Sequence, residues 1–329
     1  MTYDLMFVRF CLLFFILVNV KYMKSDTVEV IKVHSGRYNY FIKVITQYSH
    51  RPPHAHVSYS FDIGGKMKGC IRITVRVPST QVQDERFAFL EETKRIAHVS
   101  WIGYSPKCSI SSDLSSGEGT KHMVRTAFTF VMNMCPWVEK FSLTDKSKVP
   151  CVEGMKVSLP HMSIATNGKT YYEKYFGAYL ENTGMRKINE ELTGTFSDAD
   201  KKMDWHDFCD TCRFSTDTEK LLKPIYNSAK TYMTFFRDLR TLCEKDKVPF
   251  CKVIYPWVDK FIDEVLVNRR HNFFGQSWII DKDKIVLTTI SRTDTCNAEM
   301  VLADLQEQFK EYEVFRGGAC SACLGPNDF

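Results

Sequence analysis

The chain has no Asn-x-Ser/Thr sequon, no Walker phosphate loop, no G-x-G-x-x-G dinucleotide fingerprint and no G-x-S-x-G elbow. The last three absences remove the usual sequence warrant for P-loop nucleotide chemistry, dinucleotide redox chemistry and serine hydrolysis on an α/β-hydrolase sheet. The missing sequon tilts the reading toward an intracellular compartment, because an exported eukaryotic chain of this size usually carries one. Basic residues number 44 against 39 acidic ones, a net charge of +5. They form no dense Lys/Arg stripe, so no nucleic-acid partner is expected. No solenoid period is visible. Pro136-Trp137-Val138-Glu139-Lys140-Phe141 does echo Pro256-Trp257-Val258-Asp259-Lys260-Phe261. One copy precedes a strand pattern and the other sits in a helix pattern, so we read the echo as coincidence.

Long hydrophobic runs are also scarce. Residues 5–20 are mostly apolar, with Arg9 and Asn19 interrupting them. The clean run 10–18 is too short to span a bilayer easily. It suits the apolar core of a signal peptide after Arg9, yet residues 19–22 lack the small side chains of a cleavage site. Met23 offers a second start. Residues 1–25 are therefore read as a leader with three open roles: export signal, membrane anchor through residues 5–20, or spurious extension.

What remains is ordinary globular material. The 329 residues are 44% apolar, 25% charged and 13% aromatic, enough for a large core and two domains. Twelve cysteines at irregular spacing fit either disulfides or thiols. With the missing sequon, they lean toward reduced thiols.

The pattern along the chain predicts a mixed-sheet α/β fold. Residues 28–33 and 38–45 read as strands. Residues 56–63 and 69–77 alternate apolar and polar across Gly64-Gly65, an antiparallel hairpin with one buried face. In its second strand Cys70, Arg72, Thr74 and Arg76 share one face, and Ile71, Ile73, Val75 and Val77 the other. A helix is expected at 84–95, a strand at 98–104 and a helix at about 119–134, where Met123, Val124, Ala127, Phe128, Val131 and Met134 recur at helical spacing. A strand at 138–143 completes a βαβ unit and implies a parallel pair. After Asn182-Thr183-Gly184 helices dominate. Ser215 caps a long helix carrying Leu221 through Leu239, a helix covers 256–268, strands 277–280 and 285–289 form a late hairpin, and a helix covers 298–312. The division is 26–184 for an α/β domain and 185–329 for a mainly helical domain with a small hairpin.

Two stretches point to chemistry. Gly117-Glu118-Gly119-Thr120 opens the middle helix, where glycines admit a diphosphate to backbone N–H groups and the helix dipole favours it. Glu118 puts a negative charge beside that position, and glycines also make plain turns. Tyr171-Tyr172-Glu173-Lys174-Tyr175-Phe176-Gly177 reads as an aromatic helix ending at glycine. The bland alternative is that these rings are core.

The order hairpin, strand, Gly-rich loop, helix, strand, Tyr-Glu-Lys helix resembles the GNAT superfamily of N-acetyltransferases over residues 56–180. It also resembles uncharacterised proteins of large DNA viruses. The resemblance implies acetyl-CoA as cofactor, with Gly117, Gly119 and Thr120 holding its diphosphate. Tyr172, or Tyr171 one position earlier, would protonate the leaving thiolate, with a small-molecule or peptide amine as acceptor. A strand amide within 98–104 would polarise the thioester, and His98 or Glu92 would deprotonate the amine. The chain departs from the family in five places. Leu114 stands where Arg or Gln is expected, Tyr175-Phe176-Gly177 reverses the closing order, and the two helices that shape the acceptor site are missing after residue 45. A helix is expected instead between the hairpin and the His98 strand, and the loop from Pro106 to Gly117 is longer than the family's. These departures keep a rival open: a non-catalytic GNAT-like scaffold with a viral structural or host-interaction role.

Finally, His206-x-x-Cys209-x-x-Cys212 and Cys320-x-x-Cys323 offer two C-x-x-C pairs, the spacing that lets both sulfurs of a pair face one ion. Cys209, Cys212, Cys320 and Cys323 are therefore candidate ligands of a structural zinc, although more than a hundred residues separate the pairs.

Overall fold

The computed structural model describes residues 27–49, 56–65, 69–77, 95–115, 117–151, 156–197, 200–265 and 275–295. The leader 1–25, residues 84–94 of one expected helix, the expected helix 298–312, and Cys320 and Cys323 lie outside the described residues. The fold is mixed α/β. Its frame is a nine-stranded sheet ordered β11-β1-β2-β3-β4-β5-β6-β10-β9. The strands are β1 Thr27–Ser35, β2 Tyr38–Ser49, β3 His56–Gly64, β4 Gly69–Arg76, β5 Ile96–Ile102, β6 Lys140–Thr144, β9 Tyr179–Leu180, β10 Ser277–Asp281 and β11 Ser291–Thr295. A separate two-stranded ribbon pairs β7 Lys148–Pro150 with β8 Lys156–Ser158.

Strands β1 to β5 form an antiparallel meander, as the alternating pattern requires. Ile71, Ile73 and Val75 of β4 are buried while Arg72 and Arg76 face out. Arg72 forks onto Asp62 of the neighbouring strand at 2.6 and 2.9 Å. Cys70 departs from the polar face assigned to it, being buried in a disulfide with Cys108. Strands β5 and β6 run parallel, pairing Ile96–Val99 with Lys140–Leu143, and helix α1, Glu118–Met134, makes the crossover. Met123, Val124, Ala127, Phe128 and Val131 of α1 are all fully buried. Phe128 meets Phe141 of the sheet with ring centroids 4.2 Å apart.

The remaining helices are α2 Leu159–Asn167, α3 Tyr171–Phe176, α4 Thr183–Ser197, α5 Trp205–Cys212, α6 Thr216–Ser228, α7 Tyr232–Lys245, α8 Phe250–Ile254 and α9 Val258–Val265. Their core is aromatic: Phe208 stacks on Tyr226 at 4.5 Å, and Trp257, Phe235, Phe236 and Phe261 close around it. One connected core runs from the sheet into these helices. No described helix is long and apolar enough to cross a membrane.

Two expectations need correction. The single long helix after Ser215 is two helices, because the chain turns extended at Ala229 and Thr231 caps a new helix through the Thr234 amide. The late hairpin does not form either. β10 inserts between β6 and β9, whereas β11 pairs with β1 at the far end of the sheet. Residues 285–290 cross over α1 on the way, and Thr288 donates its amide to Thr129 Oγ1 at 3.2 Å. α1 touches the sheet on both sides: Thr126 Oγ1 donates to Ser35 Oγ of β1 at 3.1 Å, and Phe128 packs on Phe141 of β6. The sheet therefore curls around α1, and the strap closes over it.

Candidate functional site

Gly117 is the N-cap of α1, with φ 68° and ψ −90°. Its carbonyl accepts the Lys121 amide at 2.9 Å. A side chain at Gly119 would lie 2.9 Å from Ser115 Oγ and 3.0 Å from Leu114 Cγ, so glycine there serves the close return of the loop over its own helix. Thr120 is fully buried, and its hydroxyl has no hydrogen-bond partner among the described residues. Glu118, nearly fully exposed, pairs with the buried Lys121 ammonium. Alongside, Tyr38 shares a hydrogen bond with Ser115 Oγ at 3.1 Å and accepts one from Arg37 at 2.7 Å. Burial works to raise the Tyr38 phenol, but the Ser115 and Arg37 bonds outweigh it and hold the phenol below its usual value.

Helix α3 begins with a reciprocal Thr170–Glu173 cap and ends at Gly177 in the left-handed conformation. It packs directly on α1. Phe176 meets Phe128 at 5.9 Å, and the Lys121 ammonium lies 4.1 Å from the Tyr175 ring centre. The Gly-rich turn and the tyrosine helix are thus neighbours. Yet Tyr171 and Tyr172 are only 2% and 3% exposed, and they pack in a cluster with Tyr175 and Phe176.

Two open concavities lie among the described residues, and neither is lined by Gly117, Gly119, Thr120, Tyr171 or Tyr172. One, of about 360 Å³, lies between α2, α3 and α7. The other, of about 300 Å³, lies on the outer face of β5, β6 and β10. There His98 Nδ1 and Ser142 Oγ are 2.6 Å apart, with Glu181 beside them. Burial and the charge of Arg76 lower the His98 pKa against the opposing pull of Glu181, which keeps the ring neutral at pH 7. His98 pairs in register with Ser142, and Ala97 with Phe141. Alternation therefore puts His98 on the sheet face opposite α1 and the tyrosine cluster. The β5–β6 ladder ends at Val99 and Leu143, while β5 continues to Ile102 against β4. Glu92, the other base candidate, lies outside the described residues.

A third polar cluster joins the end of β6 to the helices. Asp145 is buried and accepts from the Ser147 amide and hydroxyl. His161 of α2 pairs with Asp259 of α9 at 2.8 Å. Asp145 Oδ2 and His161 Nε2 are buried without a hydrogen-bond partner among the described residues. No spacing signal links positions so far apart. The His98–Ser142 pair did have one: both residues occupy outward positions on strands already expected to be parallel neighbours.

Cys209 and Cys212 lie one turn apart on α5. Burial pushes the Cys212 thiol up to about 12 and raises Cys209 as well. His206 is exposed and pairs with Asp210 at 3.4 Å. Among the described residues no group of three His, Cys, Asp or Glu side chains is placed to hold a metal ion, and the second proposed pair, Cys320 and Cys323, lies outside them. The expectation of reduced thiols is also corrected, because Cys70–Cys108 and Cys151–Cys251 are disulfides. Comparison with protein-family models, with curated proteins and with solved structures gives no match.

Proposed function

We propose that this chain is a non-catalytic binding protein on a GNAT-like α/β scaffold, with a structural or host-interaction role and a mainly helical C-terminal part. The burial of Tyr171 and Tyr172 in aromatic packing carries this reading. A phenol that protonates a thiolate must reach the substrate, and these rings spend their surface on core contacts instead. The Glu118 carboxylate, paired to Lys121 at the first turn of α1, adds a negative charge where a diphosphate would sit. The two disulfides suit an oxidising compartment, where an exported recognition protein would work.

One observation favours the second reading, acetyl-CoA-dependent transfer to an amine. The first turn of α1 and the tyrosine helix pack side by side, with the Lys121 ammonium 4.1 Å from the Tyr175 ring centre, as a diphosphate loop with an acid beside it would require. Melting curves with millimolar acetyl-CoA, together with an assay for released CoA over a panel of amines, separate the two. The binding-protein reading expects an unchanged melting temperature and no CoA release. A rise in melting temperature, with turnover that Tyr172→Phe abolishes in a chain that still folds, would replace it with the transferase.

A further inference from the structure

The α2–α3–α7 concavity has an unusual lining. Its charged residues are Lys169 of the α2–α3 turn, Lys174 of α3, and Arg237 and Arg240 of α7, with no carboxylate among the lining residues. The chain as a whole is nearly balanced, with 44 basic and 39 acidic residues, so a concave site charged by cations alone departs from the background. Part of that charge has a local cause: α2 ends at Asn167, and cations favour a helix C-terminus. Arg237 and Arg240 escape this explanation, because they come from the middle of another helix. They lie three residues apart, on the face that also presents Met233.

Four like charges gathered at one concavity repel one another, and an anion between them reverses the sign of that interaction. Some neutralisation is already present. Arg240 Nε donates to Glu244 at 2.8 Å, outside the lining. Lys174 donates to the Asn167 side-chain carbonyl at 2.5 Å, which fixes its position without cancelling its charge. Glu173, the nearest acid on α3, is engaged by the Thr170 amide and the Asn189 side chain. Two guanidinium groups supply planar donor forks, which suit an oxyanion that accepts several hydrogen bonds at once. A volume of about 360 Å³ exceeds the needs of a bare ion and matches a small organic ligand.

We propose that this concavity is a binding site for a tetrahedral oxyanion ester, a phosphate or sulfate group carried on a small polar body such as a sugar. The site is separate from α1 and does not depend on either reading of the acyl-transfer geometry.

The test is calorimetric titration of the full chain with inorganic phosphate, inorganic sulfate, glucose 6-phosphate and glucose 6-sulfate, with sodium chloride at matched ionic strength as the control. Saturable binding of the phosphate or the sulfate arm is expected, and the stronger arm identifies the group. Lys174→Gln and Arg237→Gln alter exposed side chains, and each is expected to weaken binding roughly tenfold, the effect of one lost charge-assisted contact. Equal heats from chloride and the oxyanions, or unchanged affinity in the folded double variant, would overturn the proposal. Should the double variant not fold, the native chain gives the answer. Amine acetylation of Lys169 and Lys174, followed by mass spectrometry, should be suppressed by the bound ester and not by chloride, and equal labelling in both would overturn it.

Discussion

At the scale of single residues, Asp145 is the group whose chemistry is furthest from ordinary. Burial raises its carboxyl from 3.8 to about 6, against the lowering effects of the Ser147 bonds and the His161 charge. The unfolded chain gives up this proton near the ordinary value, and the folded chain keeps it to about pH 6. Between those limits the native state holds the extra proton, so stability falls as pH rises from about 4 to 6 and levels off above. The separation corresponds to about 3 kcal/mol. Asp145→Asn is expected to remove that slope and to leave the protein no less stable at pH 7 than the native chain. Urea unfolding at pH 4, 5, 6 and 7 checks it, and an unchanged slope in the variant would assign the dependence to another group. Nothing local in the sequence announces this residue. Thr144-Asp145 reads as a strand end, and only the fold brings His161 close enough to act on it. The tyrosines show the opposite failure. Their helix was legible down to its glycine cap, but whether a ring faces a ligand or a core depends on what packs against it, and here that is Phe128 and the other rings of α3.

At the scale of elements, local pattern and local structure agree wherever one strand or helix decides its own periodicity. The β3–β4 hairpin, the capped α3 and the five buried positions of α1 follow from alternation, capping chemistry and helical spacing. Legibility ends where the partner is remote. β10 and β11 look like a hairpin because sequence neighbours usually pair, yet each found a distant partner. The break between α6 and α7 did carry a sign, Thr231 three residues before Thr234, but the apolar stripe through Leu221, Ile225, Tyr232, Phe236 and Leu239 masked it. Two glycines make a prediction of opposite sign. Gly168 ends α2 at φ 68°, and a Cβ there would lie 3.3 Å from Ser197 Cβ. Gly194 lies inside α4 with nothing within 4 Å of an added Cβ. Gly168→Ala is expected to cost about 1–2 kcal/mol for the left-handed backbone, plus the displacement of Ser197. Gly194→Ala is expected to gain about 0.5–1 kcal/mol by restricting the unfolded chain and favouring helix. Chemical denaturation of both variants checks the signs, and a stabilising Gly168→Ala would refute the turn geometry.

At the scale of the whole molecule, two covalent links join parts of the chain that lie far apart in sequence. Cys70–Cys108 ties β4 to the loop that follows β5, and Cys151–Cys251 ties the β7–β8 ribbon to α8. The linked positions are 38 and 100 residues apart. Loop-closure entropy gives about 4 kcal/mol for the shorter and about 5 kcal/mol for the longer. Their sum is comparable to the entire stability of a typical domain, about 5–15 kcal/mol, so the redox state of the surroundings decides whether the chain stays folded. The missing sequon pointed the other way because glycosylation and disulfide formation are separate events, and the absence of one says little about the other. Thermal melting with and without a strong thiol reductant tests the argument. Reduction is expected to lower the midpoint by about 13 °C, scaling the lost stability by the unfolding entropy of a chain this long. The other described thiols should not confuse the result, since burial pushes Cys135 and Cys212 up to about 12 and Cys243 to about 11, leaving half-buried Cys209 as the first of the described free thiols to alkylate. A melting curve indifferent to reductant would mean that packing alone carries the fold, and would return the chain to a reducing compartment.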